Sequence, residues 1–140
     1  MSKKVSIILA VLLVFSFTAT AFADSCPYPV KEAIEARFVS LAKVSADVVM
    51  NGKTATCYGS AKTMSSNDTL LMIMTLQRKS GSSWTAVASW SKTDVGRVSL
   101  TKEKSGLSSG TYRVQVYVGV YNANGAFIES TTVYSQNYTI

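Results

Sequence analysis

From residue 39 onward the chain alternates apolar and polar positions with a period of two, the pattern of half-buried strands. Residues 111–122 show it most regularly. Tyr112, Val114, Val116, Val118 and Val120 alternate with Arg113, Gln115, Tyr117, Gly119 and Tyr121. The same period predicts strands over 39–49, 53–63, 69–79, 84–92, 97–104 and 126–138. Asn51-Gly52 and Asn124-Gly125 are hairpin turn signals, and Ser/Gly-rich stretches separate most other runs. Both prolines, Pro27 and Pro29, precede the alternating region, so nothing interrupts its strands. Before it, Val30, Ile34 and Phe38 recur every four residues, which predicts a short helical turn. No helix of crossover length lies between strands. The expected fold is all-β: a seven-stranded antiparallel immunoglobulin-like β-sandwich, with a short N-terminal helical turn.

Several strands carry an expected direction. Ala55, Cys57, Gly59 and Ala61 form a small apolar face that should point inward. Leu70, Met72, Met74 and Leu76 share one side of the third strand, and Leu71 and Ile73 lie on the other. A regular fourth strand would put Trp84 and Trp90 on one side, as a sugar-stacking platform or as core packing. At the last hairpin, a two-residue loop would set Glu129 opposite Val120 and bury an unpaired carboxylate. The expected loop is therefore Ala123-Asn124-Gly125, with Gly125 left-handed, Ile128 beside Val120 and Glu129 outward.

The start of the chain reads as a leader. Lys3 and Lys4 precede an apolar run, and Ala21-Phe22-Ala23 fits a signal-peptidase site. Residues 1–23 are the expected signal peptide, 24–38 an N-terminal segment and 39–140 a single sandwich domain. The expectation is a secreted, extracellular protein with no stable membrane insertion after cleavage. A lipoprotein signal is rejected, because Ala23 and Asp24 stand where the residues before Cys26 should be Leu and a small residue. Losing Lys3 and Lys4 lowers the net charge from +6 to +4. The cations are scattered, so no nucleic-acid partner is expected.

With the leader removed, the cysteines Cys26 and Cys57 can form one disulfide in an oxidising compartment. The alternative is two free thiols, with Cys57 a small buried hydrophobe. Histidine is absent, which excludes Ser-His-Asp and Cys-His catalysis and His-ligated metals. No two carboxylates are spaced as a glycosidase pair, Asn67-Asp68 reads as an Asx turn, and no Ser-Lys dyad stands out. No catalytic residue, cofactor or metal is expected.

Leu107-Ser108-Ser109-Gly110-Thr111-Tyr112 resembles the tyrosine corner of immunoglobulin-like and fibronectin-type-III-like sandwiches. The resemblance implies that Tyr112 opens the penultimate strand and that its hydroxyl bonds to the preceding loop. Ala55–Ser60, Leu76–Trp84, Val87–Ser91 and Gly110–Val114 are similar to a loose group of small exported proteins of Gram-positive bacteria. That resemblance implies a secreted β-sandwich and carries over no functional residue.

The expected hairpin register leaves Tyr117, Tyr121 and Phe127 outward, joined by Leu71 and Ile73. Such a face is more apolar than a lone domain usually exposes. It is either covered by the segment 30–38 or open as a docking surface. The expected function is a non-catalytic binding or interaction module at the cell surface or in the medium, its partner a protein or a cell-wall polymer. An exported toxin, inhibitor or hydrolase is the alternative.

Overall fold

In the computed structural model the described residues are 39–140. The expected leader over 1–23 and the 24–38 segment, with its expected helical turn and Cys26, lie outside them. Strands β1 (Leu41–Asn51), β2 (Thr54–Thr63), β3 (Thr69–Ser80), β4 (Ser83–Val95), β5 (Arg97–Lys104), β6 (Thr111–Tyr121), β7 (Phe127–Tyr134) and β8 (Tyr138–Thr139) follow one another. They form two antiparallel sheets. The first has the order β1-β2-β5 and the second β4-β3-β6-β7, with β8 also paired to β6. This is the expected β-sandwich. The expected last strand is divided: β7 stops at Tyr134, and the chain returns to β6 as β8.

The interior sets large groups against small ones. From the second sheet, Leu70, Met72, Met74, Leu76, Val114, Val116, Val118 and Val120 are completely buried. Facing them, β2 presents Ala55, Cys57, Gly59 and Ala61, all buried. A Cβ on Gly59 would stand 3.0 Å from the Met72 sulfur and 3.1 Å from Val116 Cγ2. The long side chains of one sheet thus fill the hollow left by the short side chains of the other.

Cys57 belongs to this packing, and no disulfide is seen at it. Among the described residues it is a free thiol with no exposed surface, flanked in the sheet by Val48 and Lys102. Burial pushes its pKa up to about 11, so it stays protonated and unreactive at neutral pH. It takes the role of a small core group.

Besides a register shift at Ala42 in β1, two one-residue bulges in the second sheet change which side chains share a face. In β4 the pairing slips as Leu76 faces Ala88 and Gln77 faces Ala86, leaving Val87 extra. Trp90 then packs against the core, while Trp84 turns to the outer face. The two tryptophans do not form one platform, because a bulge inverts every position beyond it. The second bulge lies in β7. The loop is the expected three residues: Asn122 and Ala126 are hydrogen-bonded across it, and Gly125 has φ of 83°. Tyr121 pairs with Phe127, yet Val120 pairs with Glu129, so Ile128 is extra. The expectation that Glu129 points outward is corrected by this bulge.

Tyr112 begins β6 with its ring 1% exposed, and its hydroxyl donates to the Ser108 carbonyl at 2.6 Å. Leu107, also buried, donates its N–H to the Lys53 carbonyl at 3.0 Å, tying this loop to the β1–β2 turn.

Two stability measurements check this account. Gly59→Val should cost about 1–3 kcal/mol through overpacking, because both branches of the valine meet the methionine and valine side chains. Tyr112→Phe should cost about 1 kcal/mol through the lost bond to Ser108. Denaturant midpoints equal to the parent's would show that the sheets do not close on Gly59, or that the hydroxyl bond adds nothing.

Candidate binding face

The outer face of the second sheet is built from the polar-side positions of its strands. Opposed pairs in antiparallel strands share a face, so the register fixes its members. Ile73 lies opposite Tyr117, Leu71 opposite Gly119, and Thr69 opposite Tyr121. Tyr121 is in turn opposite Phe127. Tyr117, Tyr121, Phe127, Leu71 and Ile73 therefore stand together on one outward face. Phe127 is 57% exposed and Ile73 37%, while the other three are half-buried among their neighbours.

Local packing sets the relief of this face. Gly119 is the low point: a Cβ there would lie 3.3 Å from the Tyr117 hydroxyl and 3.4 Å from the Tyr121 ring. Both tyrosines lean over the space that its missing side chain leaves. Tyr121 and Phe127 meet edge to face, with ring centroids 5.6 Å apart. Such a pair holds both rings in place.

The same face continues into a polar half. The Arg113 guanidinium lies 4.0 Å from the Trp84 ring centroid and 4.1 Å from that of Tyr134. Its Nε donates to Gln77 Oε1 at 2.8 Å, and Gln77 Nε2 donates to Gln115 Oε1 at 2.8 Å. Gln115 Nε2 reaches the Tyr134 hydroxyl at 3.4 Å. The sequence set Arg113 and Gln115 on the side of Tyr117 and Tyr121. It did not bring Trp84, Gln77 and Tyr134 to them, because that needs the register of all four strands and the β4 bulge.

Glu129 lies at the end of the sandwich near this face and joins the two sheets. Its carboxylate accepts the N–H groups of Val39 at 3.0 Å, Ser40 at 2.7 Å and Leu41 at 2.8 Å. The cost of turning a carboxylate toward the interior is offset by this clamp on the start of β1. Desolvation pushes its pKa up, but the three N–H bonds outweigh it and hold the carboxyl below its ordinary value.

Elsewhere the surface hollows are shallow. One is lined by Leu41, Ala42, Lys43, Val44 and Val133, another by Arg78, Lys79, Ser80, Thr85 and Val87. Neither brings a carboxylate to its lining. Asp68, at the β2–β3 turn, is buried and accepts the Gly96 N–H through its own backbone carbonyl.

No family model and no curated protein matches the chain. Among solved structures, the crystal structure of wild type OgpA from Akkermansia muciniphila is similar at 16% identity and a TM-score of 0.35. That match covers 74% of this chain and 31% of OgpA, so the chain spans about a third of that protein's length.

The Glu129 clamp predicts a pH effect of definite sign. A carboxyl whose pKa is lowered by folding adds stability above its unfolded value and loses it as pH falls through the folded value. The denaturation midpoint should therefore drop as pH falls below about 4.5, the ordinary glutamate value. Glu129→Gln should start less stable at pH 7 and show a shallower acid decline. Parallel pH profiles for the two proteins would exclude the clamp.

Proposed function

We propose that the protein is a secreted, non-catalytic binding module whose outer sheet face engages a partner at the cell surface or in the medium. One observation carries this reading. Leu71, Ile73, Tyr117, Tyr121 and Phe127 form one outward face on the four-stranded sheet, without cover from any other described strand. The outer face of the first sheet is more polar. There Lys43, Asp47, Lys62, Arg97 and Glu103 stand among Ser and Thr, with Val49 and Tyr58 as its exposed apolar side chains. The export signal read at residues 1–23 supplies the proposed location. The cell-wall polymer and the extracellular protein remain the two partner classes of this reading.

The tyrosine-corner resemblance supports the same picture, since the immunoglobulin-like sandwiches it points to are scaffolds that present surfaces and loops. The bond from the Tyr112 hydroxyl to the Ser108 carbonyl supports this reading.

The test is a pulldown of the protein on whole cells, peptidoglycan and insoluble polysaccharides, paired with the double variant Tyr117→Ala/Tyr121→Ala. The proposal expects retention on at least one of these materials and a loss of about tenfold or more in the variant. Removing the Tyr121–Phe127 contact should cost only about 0.5–1.5 kcal/mol of stability. A much larger destabilisation would mean that the rings are structural, and unchanged retention would place binding elsewhere.

A further inference from the structure

Deepening the reading of this face as a binding surface, and resting on it, we propose that its ligand is an acidic polysaccharide, held by Arg113 through the sugar carboxylates. Charge is the first argument. The outer positions of the second sheet hold the cations Lys79 and Arg113 and no carboxylate, whereas the first sheet's outer face mixes both signs. An anionic polymer is the complement of such a surface.

Arg113 is the second argument. Its guanidinium is fixed before any ligand arrives, by two aromatic rings and by Gln77. Among the described residues the ion pair is Lys92–Asp94, so no carboxylate neutralises Arg113 there. Its terminal nitrogens also donate no hydrogen bond among the described residues. A planar cation held in this way can take a carboxylate through two parallel bonds. Because the side chain is already ordered, little freedom is lost on binding.

The third argument separates a sugar chain from a peptide. β3 and β6 are interior strands, each hydrogen-bonded on both sides. The open edges of this sheet belong to β4 and β7, so a peptide strand added there would lie at the margin and not over Arg113 and the glutamines of β3 and β6. It offers ring faces, two linked glutamine amides and a guanidinium. Ring faces stack on the apolar sides of sugars, and the amides exchange hydrogen bonds with hydroxyls. From Arg113 to Tyr121 the β6 strand runs about 27 Å, room for several sugar rings in line.

The test uses the whole chain and three soluble probes in titration calorimetry: polygalacturonate, its fully methyl-esterified form and poly-glutamate. Polygalacturonate should bind, and the ester about tenfold or more weakly. Arg113→Gln should lower polygalacturonate affinity to that of the ester, and Arg113→Lys should recover only part of it, because it restores charge without the planar fork. Lys79→Gln, at an exposed position, should give a smaller loss and keeps the proposal testable if Arg113→Gln does not fold. Equal binding of acid and ester would overturn the carboxylate role, as would tight binding unchanged in the Arg113 variants. Preference for poly-glutamate would make the ligand an acidic peptide and overturn the proposal, and so would the absence of binding to all three probes. In each of these failures, retention of the chain on cells or peptidoglycan that is lost in Tyr117→Ala/Tyr121→Ala leaves the binding-face reading standing. Loss of both results removes it as well.

Discussion

The close approach of β2 to the second sheet is the constraint from which the rest of the fold follows. Gly59 has no side chain, and the Met72 sulfur occupies the space where one would begin. Ala55, Cys57 and Ala61 continue the same shallow surface along the strand. Long, flexible methionines then fill what short residues leave open, which suits an unbranched thioether. The inner faces of β3 and β6 are pinned along their length, with every inward residue from Leu70 to Leu76 and from Val114 to Val120 fully buried. A sheet locked on its inner side presents a fixed array on its outer side. The relief of the outer face is thus a consequence of core packing as much as of its own residues.

Fold class was legible because alternation is a local property. Tyr112 to Tyr121 shows its inside and outside without reference to any partner, and so do Ala55 to Ala61 and Leu70 to Leu76. What the sequence hid were the points where one residue is added to a strand. Val87 and Ile128 are ordinary apolar residues, and both pack against the core. Nothing in their type marks a bulge. Their placement is decided by which slip lets Trp90 and Glu129 find a better environment, a tertiary question. Each bulge therefore moved one conspicuous side chain: Trp84 to the outside, and Glu129 to the sheet end.

Glu129 shows why burial arguments from sequence stop short. An unpaired carboxylate on the core side is costly, and that reasoning favoured turning it outward. The backbone supplies three donors at the start of β1. Those N–H groups belong to residues nearly ninety positions away, and no motif announces them. Cys57 is the converse case. Its inward direction was read from the alternation, but its partner status depends on packing that closes around it. The polar half of the face was hidden for a third reason: the Trp84–Arg113–Tyr134 stack draws on three strands of one sheet, and its members become neighbours only through the sheet order β4-β3-β6-β7.

Core packing, register and a guanidinium with no carboxylate partner among the described residues support the proposal that the outer face of the second sheet meets an acidic sugar chain. Amide chemical-shift mapping of the isotope-labelled chain during titration with a galacturonate trisaccharide tests it most directly. The account predicts that the shifted resonances cluster on β3, β6 and β7, with the Arg113 Nε–H and the Trp84 indole among the largest movers, and that β1, β2 and β5 stay in place. Shifts concentrated on the first sheet, or spread evenly over the surface, would contradict it.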